Sequence, residues 1–159
     1  MLAELTAGAA ADADARRELT PLSVVEAAAL AAPPALDALA ALSRSERVKI
    51  IAEVKRASPS RGHLAEITDP AALAADYELG GASAISVLTE GRRFKGSLDD
   101  LRSVRERVAL PVLRKDFVSQ PYQVLEARAA RADLVLLIVA ALDDRTLAEL
   151  FALSTDLGM

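Results

Sequence analysis

From Val48 onward, short apolar runs alternate with amphipathic stretches of about ten residues. The runs Val48–Val54, Ala82–Leu88, Pro111–Leu113 and Leu134–Val139 predict strands. The stretches Pro70–Leu79, Ser97–Arg107, Pro121–Ala130 and Asp143–Leu157 predict helices. Strand and helix in strict alternation predict a parallel sheet covered by helices, with right-handed crossovers. The run from Leu134 to Val139 is apolar on both faces, as expected of a strand buried from both sides. Boundary residues agree: Gly80-Gly81 stops one helix, Asp69-Pro70 reads as cap and first residue of that helix, and Asp143 stands where it can cap the last. The strand spacing of about 28 residues per unit matches a (β/α)8 TIM barrel of roughly 250 residues, of which four units are present.

The earlier part of the chain has a different texture. Ala and Leu dominate Asp12–Leu42 in a helical pattern that Pro33-Pro34 interrupts. The chain is therefore expected to divide into an amino-terminal helical extension, residues 1–47, packed against the first half of a TIM barrel, residues 48–159. The fold class is α/β.

Composition narrows the chemistry. With 159 residues, of which 52% are hydrophobic and 26% charged, the chain suits one ordinary globular domain. A net charge of −4 gives no basic field for a polyanion, so a nucleic-acid partner is not expected. There is no cysteine and one histidine, His63, which reads as a surface loop residue. Thiolate chemistry is excluded, and almost nothing is left to ligate a metal. Met1–Ala15 is alanine-rich, but Glu4, Asp12 and Asp14 break it up, so neither a signal peptide nor a membrane span is expected, and the location expected is cytoplasmic.

Catalysis must then come from carboxylates, lysines, hydroxyls and backbone. Side chains alternate along the first strand, so Ile51, Glu53 and Lys55 share one face and Ala52 and Val54 the other. Two charges on one face, at the carboxyl end of a strand in a parallel barrel, call for a partner or a purpose. The alternative is that Lys55 is the solvated exit from the strand. The loop Arg56–Gly62 offers two hydroxyls and two guanidinium groups that could cradle an anion. In the third strand Leu113, Lys115 and Phe117 alternate with Arg114 and Asp116, which again puts a lysine at the carboxyl end, where an ammonium can protonate a developing alkoxide; alternatively Arg114-Lys115-Asp116 is a solvated surface cluster. Two of the three phenylalanines, Phe94 and Phe117, fall at the ends of the second and third strands, as pocket walls or as caps on the core.

Taken together, the stretches Ile51-Ala52-Glu53-Val54-Lys55-Arg56-Ala57-Ser58-Pro59-Ser60, Ile85-Ser86-Val87-Leu88-Thr89-Glu90 with Phe94 and Gly96-Ser97, Pro111-Val112-Leu113-Arg114-Lys115-Asp116-Phe117, and Leu136-Leu137-Ile138-Val139-Ala140 resemble the indole-3-glycerol phosphate synthases, in order and spacing. The resemblance runs from about Leu19 to the end. It implies a cofactor-free carboxy-lyase of tryptophan biosynthesis that converts 1-(2-carboxyphenylamino)-1-deoxyribulose 5-phosphate, a phosphosugar–anthranilate compound, into indole-3-glycerol phosphate, CO2 and water. By the same resemblance Lys115 is the general acid on the ketose oxygen, and Glu53 and Lys55 form a charged floor. Ser58 fixes the loop over the substrate, while Phe94, Phe117 and Leu136 wall the aromatic ring. The family also draws a glutamate, an asparagine and phosphate-binding loops from a carboxyl half that these 159 residues do not include, so the chain alone is expected to be inactive. Arg131 stands where the family usually has glycine.

A second reading follows from the sheet itself. A half-barrel has open edges at its first and fourth strands, which favour self-association or a complementary half. A different phosphosugar barrel enzyme is disfavoured, because its catalysis calls for residues other than Glu53, Lys55 and Lys115.

Overall fold

A computed structural model describes residues 1–159. Three helices come first: α1 (Leu2–Leu19), α2 (Leu22–Ala31) and α3 (Ala38–Leu42). The helical extension thus begins ten residues before Asp12, and it breaks at Thr20-Pro21 as well as at Pro33-Pro34. The early start escapes a periodicity argument because an alanine-rich helix has almost no polar and apolar sides to distinguish. The break at Thr20-Pro21 is conformational, since Pro21 cannot donate to the preceding turn.

The remainder comprises β1 (Ile51–Val54), the short ribbon strands β2 (Ala57–Ser58) and β3 (Gly62–His63), α4 (Pro70–Leu79), β4 (Ala84–Leu88), α5 (Leu98–Arg107), β5 (Val112–Lys115), α6 (Pro121–Ala129), β6 (Leu134–Val135) and α7 (Asp144–Asp156). β1, β4, β5 and β6 form one parallel sheet in that order. The fold is α/β, with four strand–helix units. The caps lie where the sequence put them: the carboxylates of Asp69 and Asp143 accept from Ala72 N at 2.9 Å and Thr146 N at 2.7 Å.

Two features depart from the sequence expectations. The ribbon β2–β3 was not anticipated; it pairs Ala57 with His63 and Ser58 with Gly62, and Gly62 turns it at φ 64°. His63 is exposed on it, as expected. The run Leu134–Val139 is paired only at Leu134–Val135, and its residues are half-buried or exposed because β6 forms the sheet's edge. At the opposite edge Ile51 is 49% exposed.

Register separates the sheet into two faces. Val54, Ile85, Val87 and Val112 turn towards the helices and pack with Leu101, Val104 and Ala127 in the largest apolar cluster. Glu53, Ser86 and Leu113 lie side by side on the other face, with Leu88 beside Lys115 one layer above. The extension packs outside this layer, Ala13, Val25 and Ala29 meeting Tyr122 and Leu125 of α6. No helix is long and apolar enough to cross a membrane.

Candidate active site

At the carboxyl ends of β1 and β5, one carboxylate joins two ammonium groups. Lys55 Nζ donates to Glu53 Oε1 at 2.5 Å, and Lys115 Nζ donates to Glu53 Oε2 at 2.6 Å. Glu53 and Lys55 meet because alternate residues of a strand share a face. Lys115 meets them because β4, which separates β1 from β5, carries only the small Ser86 between Glu53 and Leu113 on this face. Burial pushes the Glu53 carboxyl up, but the hydrogen bonds and charges of Lys115 and Lys55 outweigh it and hold the group below the usual range. The cluster carries one surplus positive charge.

Above this cluster lies a cavity of about 160 Å³ lined by Glu53, Lys55, Leu88, Phe94, Lys115, Asp116, Phe117, Leu136 and Ile138. The Phe94 and Phe117 rings lie next to each other, tilted by 41°, with centroids 6.1 Å apart. Charged floor and apolar walls suit a flat apolar ligand bearing an anionic group. A larger cavity of about 540 Å³ opens between the extension and α5 and α6, away from these residues. No set of three His, Asp or Glu side chains is placed to hold a metal ion.

Of the residues singled out from sequence, Glu53, Lys55, Lys115, Phe94, Phe117 and Leu136 come together in this cavity. Ser58 does not line it; its hydroxyl sits in the ribbon and accepts from Arg61 N at 3.3 Å. Nor is the loop after β1 a free anion cradle. Arg56 is turned away to pair with Asp100 on α5 and to donate to Ile67 O at 3.1 Å, which ties the loop to the first turn of α5.

Sequence reasoning missed the supports. Glu90 is buried, and its carboxylate accepts from the amides of Arg92, Arg93 and Phe94 at 2.9, 2.7 and 2.9 Å, fixing the loop that carries Phe94. Gly96 closes that loop, packed so tightly that a Cβ there would lie 2.0 Å from the Leu88 carbonyl oxygen. Arg114 and Asp116 are not surface charges: Arg114 is 1% exposed and Asp116 5%. They connect through Glu126 to Arg16 of the extension, which donates to that carboxylate at 2.5 and 2.9 Å. The usable signal was the alternation that set Lys115 inward, since it also sends Arg114 and Asp116 towards the helices.

A family model described as indole-3-glycerol phosphate synthase matches residues 2–159. The chain is 70% identical over 159 residues to an indole-3-glycerol phosphate synthase of Leifsonia xyli subsp. xyli, covering 100% of this chain and 61% of that protein. Synthases of the same name from Mycobacteroides abscessus and Mycobacterium ulcerans are 62% and 58% identical over 152 and 159 residues, covering 96% and 100% of this chain. The chain spans 56% and 58% of their lengths, or about three fifths of the curated relatives it matches.

Proposed function

Since the chain belongs to the indole-3-glycerol phosphate synthase family, we propose that its cleft takes part in closing the pyrrole ring of 1-(2-carboxyphenylamino)-1-deoxyribulose 5-phosphate, with loss of CO2 and water. The observation that carries this reading is Glu53 hydrogen-bonded to both Lys55 and Lys115 in a cavity walled by two tilted, adjacent aromatic rings. Lys115 hands its proton to the ketose oxygen as the ring carbon attacks the carbonyl, so that no alkoxide has to build up. Glu53 orients that ammonium until the substrate replaces it as acceptor. Lys55 stays on Glu53 and offers its charge to the anthranilate carboxylate, while Phe94, Phe117 and Leu136 hold the ring over the floor. Ser58 acts through the ribbon, steadying the loop after β1. No cofactor enters this scheme, and a cytoplasmic location goes with it.

In this proposal residues 1–47 are the helical extension and residues 48–159 the first half of the barrel; the rest of the relatives' length supplies the remaining groups. The test mixes the 159-residue chain with the carboxyl-terminal part of the Leifsonia relative and follows indole fluorescence. We expect no turnover from the chain alone, turnover from the mixture, and at least about a hundredfold loss with Lys115→Met, the lower end of the range for one general acid. Undiminished turnover by that variant in the mixture would remove Lys115 from the reaction.

The open edges support a second reading, assembly with itself or with a complementary half. Ile50 before β1 and Ile51 at its start, and Val139 and Phe151 beyond β6, expose apolar surface. Light scattering decides it: a monomer at all concentrations excludes self-assembly.

A further inference from the structure

Arg114 lies on the face of β5 opposite the cleft and is 1% exposed. Exchanging a buried ion pair for well-packed apolar groups is often neutral or stabilising, so stability alone gives little reason for a guanidinium there. What it supplies is direction. Its Nη2 donates to Asp116 Oδ2 at 2.9 Å and its Nε to Thr89 Oγ1 at 3.2 Å. Its Nη1 reaches the Gln123 carbonyl at 2.8 Å and Glu126 Oε2 at 2.9 Å. Thr89 closes a triangle by donating to Asp116 Oδ2 at 2.6 Å. The other Asp116 oxygen accepts from Phe117 N at 2.9 Å, and the Gln123 side chain bonds both Ser119 N, at 2.9 Å, and the Phe117 carbonyl, at 3.2 Å.

These bonds bracket Lys115. Residues immediately before and after it are clamped behind the sheet, and Phe117 is held by its own backbone at both ends. We infer that Arg114, Thr89 and Asp116 form a positioning clamp that sets the direction in which β5 leaves the sheet, and so aims Lys115 at Glu53 and Phe117 at Phe94. A planar fork with several fixed donors can join β4, β5 and α6 in one geometry, which a lysine or an apolar side chain cannot do. Its catalytic meaning rests on the proposed role of Lys115, but the geometry can be read without turnover.

The experiment uses the 159-residue chain and its Arg114→Met and Thr89→Val variants. Circular dichroism reports folding, and NMR follows the cross-peak between the Phe94 and Phe117 rings and the titration midpoint of the Glu53 carboxyl. The titratable groups sharing the cavity with Glu53 are Lys55, Lys115 and Asp116. A clamp predicts that Arg114→Met folds, loses at least half the ring cross-peak intensity and shifts the Glu53 midpoint upwards as Lys115 loosens. Thr89→Val does the same to a smaller degree, and Arg114→Lys restores only part of the signal. If Arg114→Met unfolds, the shift in Thr89→Val still carries the inference. Folded variants with unchanged cross-peak and midpoint overturn it, as does an unfolded Arg114→Met beside an unaltered Thr89→Val. Absence of ring closure in the mixed assay with the rim signals intact would count against the role of Lys115, and leave the clamp standing.

Discussion

Three barrel helices end in the same backbone motif, and only one of them ends on a side chain that strains it. After α4, Ala82 N bonds Tyr77 O at 3.0 Å and Gly81 N bonds Glu78 O at 3.0 Å, with Gly81 at φ 89°. After α7, Met159 N bonds Ser154 O and Gly158 N bonds Thr155 O, both at 2.9 Å, with Gly158 at φ 77°. After α6, Ala132 N bonds Ala127 O at 2.9 Å and Arg131 N bonds Arg128 O at 2.8 Å, with Arg131 at φ 65°. This is the Schellman ending, whose left-handed residue is normally glycine. A Cβ in that conformation costs about 1 to 2 kcal/mol, of which glycine's greater freedom in the unfolded chain returns about 0.5 to 1. Arg131→Gly should therefore stabilise the chain by about 1 kcal/mol. That corresponds to a rise of about 2 to 4 °C in melting midpoint, or about 0.5 M urea at a slope of about 2 kcal/mol/M. Arg131→Ala separates backbone from charge: it removes the repulsion that Arg131 exerts on Arg128 but keeps the strained φ, so it should stay within about 0.5 kcal/mol of the parent. Gly81→Ala, where a Cβ would meet nothing within 4 Å, should lose about 1 kcal/mol from strain alone. If Arg131→Gly gains nothing in urea titrations, or Arg131→Ala gains as much, the strain argument is wrong.

Two further outcomes concern the cleft. Glu53 titrates below its ordinary 4.5 in the folded chain, so it binds fewer protons folded than unfolded at acid pH. Its contribution is complete above the unfolded value and disappears as pH falls through the lower, folded one; Glu53→Gln should thus flatten stability against pH below about 4.5, and an unchanged profile would show that its pairs with Lys55 and Lys115 do not hold in solution. Gly96→Ala sets a methyl group against the backbone of Leu88 and Thr89, where neither can yield cheaply. It should cost about 1 to 3 kcal/mol in chemical denaturation and weaken the Phe94–Phe117 contact, whereas a neutral substitution would mean that the loop closes differently.

Much of this fold could be read from residues whose effects are local. Asp69-Pro70 and Asp143 start helices through their own turns, Gly80-Gly81 ends one, and two-sided apolar runs mark the strands. Alternation in Ile51–Lys55 and Leu113–Phe117 likewise placed Glu53, Lys55, Lys115 and Phe117 on one side before any coordinates. What stayed hidden depends on partners distant in sequence. Arg114 and Asp116 look like surface charges until Thr89 and Glu126 arrive from β4 and α6, and Arg56 looks like an anion ligand until Asp100 claims it. The length of β6 was overestimated because an apolar run does not say whether a neighbouring strand exists to pair with it.

The bracing of the Phe94 loop by Glu90 bears on the thermodynamics of any guest. Three successive amides are already committed to one carboxylate, so the segment has little conformational entropy left to surrender when a ligand docks. Calorimetry of an aryl carboxylate should accordingly show a small entropic penalty, and affinity should track contact with the ring rather than the cost of ordering the wall. Glu90→Ala would transfer that ordering to the moment of binding, with the loss appearing in entropy before it appears in enthalpy.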